Sequence, residues 1–592
     1  MKKIYTLICA ATIVLGVSAQ GAHAAKPVAC TDTDGDGYGN PGVSTCPNGS
    51  ATDCNNTNNT IYPSAPEICG DGIDQDCNGS DLACSGSNPH ASLTYAGYPS
   101  NCLSCHDGGA GGSQYAQMFS SLHYTWKATA PDMTNQPGTV QGKLTNEINS
   151  YCINILGNWG SCGACHAGRG IKPGSGDTKA NIDCLMCHSA EYATKRVRLS
   201  DGSMGVLTPT DTMVRNVTKP TRANCLACHA KAGGDDGVKR GTLSMATVTN
   251  TSATFDVHMN TTGTDLACQA CHTFVNHKVT GKGSDLRPTD YASEVKCSKC
   301  HTTKESLTGH TTASNNRHVA RVACQSCHIA TYAKVATETH RDWTRRSDGT
   351  PADGVSGPGH PFTVKAANLT PQYLMWDRTS NNMLLGDNAN ITKDVAKNTY
   401  PTSRPNGSVQ TGKLYPFKYK TSYQPIARGG NCEGKLIALD TWEYLKVSGN
   451  VNTAITKGLA NMGCTGVAVE WINTDTYQLI NHGVTPKANA TACAQCHGSL
   501  KSNLDLTSLS MLDKVGFKLK DTQAKICVQC HLSKTPKTQE SMHNHINKST
   551  NGMDCLWCHT FSRPERAKCS PCDPTCAPAF TGTRPLYPHV CN

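Results

Sequence analysis

The pentapeptide Cys-x-x-Cys-His occurs ten times in the 592 residues, and no other feature restricts the fold as much. The copies are Cys102/Cys105/His106, Cys162/Cys165/His166, Cys184/Cys187/His188, Cys225/Cys228/His229, Cys268/Cys271/His272, Cys297/Cys300/His301, Cys324/Cys327/His328, Cys493/Cys496/His497, Cys527/Cys530/His531 and Cys555/Cys558/His559. Each sets two thiols on one turn with an imidazole directly after the second. At that spacing both thiols add to the vinyl groups of one haem and the histidine reaches its iron. With 34 Cys and 23 His in the chain, chance supplies fewer than about one copy. Structural zinc also uses Cys-x-x-Cys pairs, but zinc does not require a histidine after every second cysteine. The repeats therefore predict ten covalently bound haem c groups. The fold class that follows is mainly α and irregular, a multihaem cytochrome c built around a covalent haem chain, with low strand content.

Composition agrees with a core built from cofactor. Only 37% of residues are hydrophobic and 6% aromatic, thin for a chain of this length, and ten macrocycles can serve as apolar interior. The formal charge of +10 is offset by the haems, since a haem with two ionised propionates brings about −1 when ferric and −2 when ferrous. The excess of Lys and Arg is thus no sign of a nucleic-acid partner or an acidic membrane. At the N-terminus, Lys2 and Lys3 precede an apolar run from Ile4 to Val17, and Ala22-His23-Ala24 supplies small residues before Ala25. This reads as a signal peptide over 1–24. No later stretch approaches the roughly 18 apolar residues of a membrane span, so no integral membrane segment is expected. The expected location is secreted, in the periplasm or at the cell surface. Apart from Cys9 and the haem-linking thiols, thirteen cysteines remain. Six lie between Cys30 and Cys84, four between Cys569 and Cys591, Cys432 and Cys464 form a third group, and Cys152 stands alone. Local pairing within each group is expected in an oxidising compartment, with Cys152 the odd thiol.

Three regions follow the signal peptide. Residues 25–88 form a Cys/Asp-rich module without a haem motif. Within it Asp32, Asp34 and Asp36 alternate around glycines as in the front half of a calcium loop, but Val43 stands where a bidentate glutamate would. A second acidic cluster, which includes Asp71, Asp74 and Asp76, follows among cysteines. The module resembles the Asp/Cys calcium-binding repeats of surface-exposed bacterial proteins, and calcium is the expected ion. Residues 89–500 form an eight-haem cytochrome domain, with seven motifs between 102 and 328, then a haem-free stretch of 164 residues, 329–492, before the eighth. Residues 501–592 add two haem motifs and a Cys-rich tail. Glycine, asparagine, threonine and serine interrupt any long periodicity, which predicts short helices and much irregular chain.

Between the haem motifs run, in order, "HYTWK" (123–127), "QGKL" (141–144), "AGGDDGVKRGTL" (232–243), "VHM" (257–259), "VACQSCHIATYAK" (322–334), "PQYLMWDRTSNNMLLGD" (371–387), "PFKYK" (416–420) and "INHGVTPK" (480–487). With eight haem motifs, this series resembles the octahaem tetrathionate reductase family over roughly residues 89–500. The N-terminal module and the last two haem motifs lie outside the resemblance. The resemblance implies one active-site haem with lysine ligation, at Cys162/Cys165/His166. Lys143 of "QGKL" is the first choice for the lysine, ahead of Lys127 and Lys172. Arg169, Lys172, Lys239 and Arg240 form a candidate cationic pocket for an oxyanion.

The sixth iron ligand separates two functions. An iron that only passes electrons is closed by a second strong ligand, whereas one that binds substrate needs a displaceable one. His90, His123, His258, His277, His310, His318 and His482 offer seven distal ligands for eight haems, which leaves one iron short. His543 and His545 suit the two additional haems, and His340 or His360 remains to close a tenth. One reading is a reductase of sulfur or nitrogen oxyanions, for which the resemblance suggests tetrathionate, nitrite or hydroxylamine. Its electrons come from other cytochromes or quinol-linked donors. The other is a non-enzymatic conduit to minerals, electrodes or partner cytochromes, in an assembly or filament.

Overall fold

The computed structural model describes residues 28–67, 73–81, 88–107 and 113–492 with short internal breaks, together with 495–496, 517–519 and 559–561. Several sequence-based expectations lie outside the described residues: the signal peptide, Asp71, Cys152, Cys493, His497, Cys527, Cys530, His531, His543, His545, Cys555 and Cys558. For His559 only the backbone of a short strand, His559–Phe561, is described. The chain divides into two units, Met1–Ala91 and Ser92–Asn592.

The first unit has little regular structure and is held by disulfides Cys30–Cys46 and Cys54–Cys77. Side-chain carboxylates fold its loops. Asp32 accepts from the backbone amides of Gly35 and Gly37 at 2.8 and 2.9 Å, and both glycines have positive φ, which costs glycine little. Asp74 does the same for Asn78 and Gly79 at 3.0 and 2.8 Å. Tyr38 and Tyr62 stack with ring centroids 5.8 Å apart.

In the second unit, haem-motif residues form short helices such as Ser100–His106, Cys184–His188, Arg222–His229 and Cys324–His328. Each ends on its histidine, which a single helical turn places on the same side as the paired cysteines. Much of the chain between them is irregular, as the sequence predicts.

The haem-free stretch departs from the expectation of low strand content. It builds a seven-stranded mixed sheet in the order Ser380–Asn382, Tyr400–Pro405, Ala468–Leu479, Lys413–Arg428, Thr337–Arg346 and Pro361–Ala366, with Gln372–Trp376 paired to the start of Lys413–Arg428. The long strand Lys413–Arg428 runs antiparallel to Ala468–Leu479, with Phe417 opposite Leu479 and Arg428 opposite Ala468. Alternation gives its two faces different characters. Lys418, Lys420, Ser422 and Gln424 are all buried on one face, and hydrogen bonds from that face reach back to carbonyls of residues 149, 150, 238 and 239. The sheet's aromatic cluster includes Trp376, Tyr415 and Phe417. A larger core around Trp343, Tyr444 and Ile455 contains the disulfide Cys432–Cys464, the pairing expected from sequence.

Candidate functional site: a cavity lined by haem-attachment motifs

The second unit holds an open cavity of about 2830 Å³ lined mostly by residues of its haem-motif region, with a few from the sheet, against the roughly 300–1,000 Å³ of a site for a single small ligand. Residues of the second to seventh motifs line it. So do His123, His258, His277, His310, His318 and His482, six of the seven histidines assigned as distal ligands in this domain. His90 is not on its wall and belongs to the first unit. Of the two left over, His360 lines the cavity, while His340 donates to or accepts from Thr421 within the sheet.

Of the described attachment cysteines, Cys102, Cys105, Cys184 and Cys496 are not on the cavity wall. In the first motif, Cys102 packs at the edge of the core around Tyr98 and Tyr192, but Cys105 and His106 at the end of the helix Ser100–His106 are exposed. The Cys105 Sγ has the Ser104 hydroxyl 3.8 Å away. In the eighth motif, the haem-free sheet inserts 164 residues before Cys493, and Cys496 comes back half-buried, off the cavity wall and within electrostatic reach of Tyr373, as is Cys327 of the seventh motif. Haems at the first and eighth motifs would thus stand at the margin of the cavity's set rather than within it.

The histidines meet in pairs. His123 and His229 have ring centroids 6.1 Å apart, His258 and His301 6.0 Å, and His272 and His482 6.1 Å. Metal–nitrogen bonds of about 2.0–2.1 Å put the centroids of two imidazoles on opposite sides of one ion about 6 Å apart. The residues present therefore fit haem iron at the fourth, fifth and sixth motifs. His277 lies within electrostatic reach of His188, and His310 of His328. Burial lowers the pKa of His123, His188, His277 and His328, takes that of His229 well below the ordinary value, and takes that of His482 to about 4. All are thereby kept as neutral imidazoles, the form that ligates metal. Thiols of neighbouring motifs also touch: Cys165 with Cys228, Cys225 with Cys268, and Cys297 with Cys324. The second motif thus adjoins the fourth, the fourth the fifth, and the sixth the seventh.

The second motif differs from these. Cys162 and Cys165 line the cavity, but His166 does not. Its ring is fully buried and packs against Tyr124, Trp126 and Trp159 at centroid distances of 5.0, 5.3 and 5.4 Å. Its Nε2 lies 2.6 Å from the Tyr124 carbonyl oxygen. Burial lowers the His166 pKa to about 4, so the neutral ring donates its one N–H there, and the buried Nδ1 has no hydrogen-bond partner. Gly168 lets the chain pass over the ring, for a Cβ at that position would stand 2.6 Å from Nδ1 and Cε1.

Lys143 lies on the cavity wall, with Nζ 5.1 Å from the centre of the Trp126 ring. Two backbone features set this approach. Trp126 ends the helix Leu122–Thr125 with φ of 49°, an uncommon conformation for a bulky residue. A Cβ at Gly142 would collide with the Trp126 carbonyl oxygen. Burial acts most strongly on the Lys143 ammonium and lowers its pKa, but Glu147, Cys162, Cys165 and Asp285 together outweigh it and the pKa is raised. In a haem thioether the two cysteines carry no charge, which removes part of that opposition.

Lys239 and Arg240 also line the cavity. The Lys239 ammonium is 2.5 Å from Asp285, and Asp285 is held in turn by the side-chain amide of Gln478 at 2.7 Å. Tyr151 donates to Gln478 at 2.8 Å. The structure does not bring Arg169 and Lys172 into this group. The Arg169 guanidinium stacks 5.0 Å from the Tyr98 ring, and Lys172 is exposed. Sequence reasoning missed Tyr124, Glu147, Trp126 and Asp285; only Tyr124 and Trp126 stood in a quoted block, "HYTWK".

In the first unit, carboxylate oxygens of Asp32, Asp34 and Asp36 lie within 4.8 Å of one another, as do those of Glu67, Asp74 and Asp76. Buried Asp53 joins the first group: burial, opposed by the Asn55 amide, and the charges of Asp36, Asp34 and Asp32 raise its pKa. One oxygen each of Asp34, Asp36 and Asp53 is buried without a hydrogen-bond partner.

Among known proteins, a family described as bacterial cytochrome c matches residues 361–500, and a putative metal-binding motif matches residues 53–81. An uncharacterised protein of Archaeoglobus fulgidus is 25% identical over 227 residues, covering 30% of this chain and 73% of that one. The crystal structure of an octahaem cytochrome c from Shewanella oneidensis superposes with a TM-score of 0.58 at 27% identity, covering 69% of this chain and 94% of that one. No helix among the described residues is long and apolar enough to cross a membrane. The attachment motifs, the paired histidines and the octahaem neighbour make this chain a multihaem c-type cytochrome that binds haem covalently.

Proposed function

We propose that the protein is an extracytoplasmic decahaem cytochrome that delivers electrons to an oxyanion at the second haem, which Lys143 rather than His166 would hold. The observation that carries this reading is the exchange of roles at the second motif: His166 faces an aromatic nest and bonds Tyr124, while Lys143 stands in the cavity beside Cys162 and Cys165. Haem supplies electrons there and one exchangeable coordination position. The chain's own groups bind and orient the anion. Lys239 and Arg240 attract it, and the Lys239–Asp285 pair holds a proton at Nζ for the reduced product. Sulfur and nitrogen oxyanions such as tetrathionate and nitrite, and hydroxylamine, are the candidate substrates suggested by the family resemblance. Other cytochromes or quinol-linked carriers are the candidate donors.

A second reading, a conduit without catalysis, is favoured by the paired histidines, which would hold the haems of the fourth, fifth and sixth motifs. The two readings part at the second haem. Lys143→Ala is expected to change the ligation spectrum of one haem and to lower turnover by roughly 10–100-fold or more. Unchanged spectra and rates remove Lys143 from the site and leave the conduit. In the first unit, calcium at Asp32, Asp34, Asp36 and Asp53 would supply partners for the buried oxygens of the last three, and a second ion at Glu67, Asp74 and Asp76 would stiffen the module further.

A further inference from the structure

The turn that carries the second motif is held from one side by a single guanidinium. Arg196 donates through Nη1 to the carbonyl oxygens of Gly163 and Ala164 at 3.2 and 2.6 Å, and through Nη2 to those of His166 and Gly168 at 3.2 and 2.6 Å. Its Nε donates to Asp183 at 2.6 Å, and both side chains are almost completely buried, 3% and 0% exposed. Asp183 is itself fixed by the hydroxyls of Tyr98 at 2.7 Å and Tyr192 at 3.1 Å, and it directly precedes Cys184 of the third motif. The neighbouring Arg198 adds a bond from Nε to the Gly160 carbonyl at 2.9 Å. The planar fork thus binds four carbonyls on both sides of His166, in a geometry an ammonium cannot reproduce.

We propose that Arg196, anchored on Asp183, is a positioning residue that sets the 163–168 turn so that His166 is held out of the cavity and the second iron is left to Lys143. With the turn fixed at 163, 164, 166 and 168, the His166 ring has one place to go, the nest of Tyr124, Trp126 and Trp159, and its N–H finds the Tyr124 carbonyl there. Without the fork the turn is free to rotate, and His166 returns to the position that the histidines of the third to seventh motifs occupy on the cavity wall. Arg196 therefore acts through His166 and touches neither substrate nor the reacting atoms. Through Asp183 the same pair ties the second motif to the third.

The inference rests on the reading that Lys143 ligates the second haem. Its test is ferric-state electron paramagnetic resonance, with haem content per chain measured alongside, on Arg196→Gln, Arg196→Lys and Asp183→Asn holoproteins. The expected result is full haem content with loss of the single lysine-type signal and gain of one bis-histidine or histidine-only signal in Arg196→Gln. Arg196→Lys, which keeps the charge but lacks the fork, is expected to behave as Arg196→Gln does. Where Arg196→Gln fails to fold, Asp183→Asn gives the same reading with the guanidinium retained but unanchored. A lysine-type signal that persists at full strength overturns the proposal, and so does haem loss in these variants without ligand exchange in the haem retained. The two readings fail separately: a signal indifferent to Lys143→Ala removes the lysine itself, whereas a signal abolished by Lys143→Ala but intact in Arg196→Gln removes only the role of Arg196.

Discussion

His166 is a histidine of an attachment motif that spends its one N–H on a backbone carbonyl, and its burial has a measurable consequence. Its folded-state pKa of about 4 lies below the ordinary value of about 6.5. The unfolded chain therefore binds a proton there that the folded one excludes. The associated stability is fully present above pH about 6.5 and is lost as pH falls toward 4, on the order of 3 kcal/mol at the lower end. Histidines that ligate iron in the holoprotein would not share this titration. Urea midpoints of the holoprotein are thus expected to start falling just below pH 6.5, above the carboxylate range, and midpoints flat down to pH 5 would place the His166 imidazole elsewhere. At this scale much was legible in the sequence. The motifs mark the candidate attachment cysteines and histidines, and six of the seven candidate distal histidines line the cavity. That Cys105 and Cys496 stand off the cavity was not legible, because the motif carries no sign of which side its turn packs on. Nor was the reversal at His166, since the pentapeptide is identical to the others and the cause, Arg196, lies thirty residues away in "KRVR" without a signature of its own.

Among elements, the strand Lys413–Arg428 does the most to shape the wall behind the site. Its sequence, KLYPFKYKTSYQPIAR, alternates aromatic and polar residues with period two, but the polar set is buried, which reverses the usual pattern of a half-exposed strand. Two prolines and two lysines at core positions argue against a central strand, and this is why the sheet escaped the sequence reading. What makes it tolerable is pairing. Lys418 donates to the carbonyls of Val238 and Lys239 and to Thr337 at 2.7, 3.1 and 2.6 Å. Lys420 lies 3.2 Å from Glu338, and Arg341 binds both oxygens of the same carboxylate at 2.9 and 2.7 Å. Glu338→Gln leaves two buried cations without their counter-charge and is expected to cost about 3–5 kcal/mol, read as a lower thermal midpoint of the holoprotein. A loss within about 1 kcal/mol would mean that hydrogen bonds alone hold the pair.

For the second unit, the division of labour is between a cavity lined by haem-attachment motifs and a seven-stranded sheet beside it. A low share of hydrophobic residues suits a c-type cytochrome, whose macrocycles take up interior space, and the 2830 Å³ room would receive haems attached at the motifs on its wall. The contacts of thiols between motifs two and four, four and five, and six and seven keep attachment sites adjacent, as electron transfer through a series of haems demands. The first unit is stiffened differently, by disulfides and by carboxylates that include buried oxygens without a hydrogen-bond partner. With an ion bound there, EGTA is expected to lower its unfolding temperature and added calcium to restore it, by the stabilisation that any ligand of the folded state confers. A midpoint indifferent to both would leave those carboxylates as a solvated acidic loop.

The most direct test of the central claim is electron paramagnetic resonance of the purified ferric holoprotein with and without nitrite, counting the irons whose ligation changes. The account predicts that one iron stands apart from the bis-histidine set and that it alone responds to the anion. Irons that are all six-coordinate, bis-histidine and unresponsive would contradict it and make the protein a conduit.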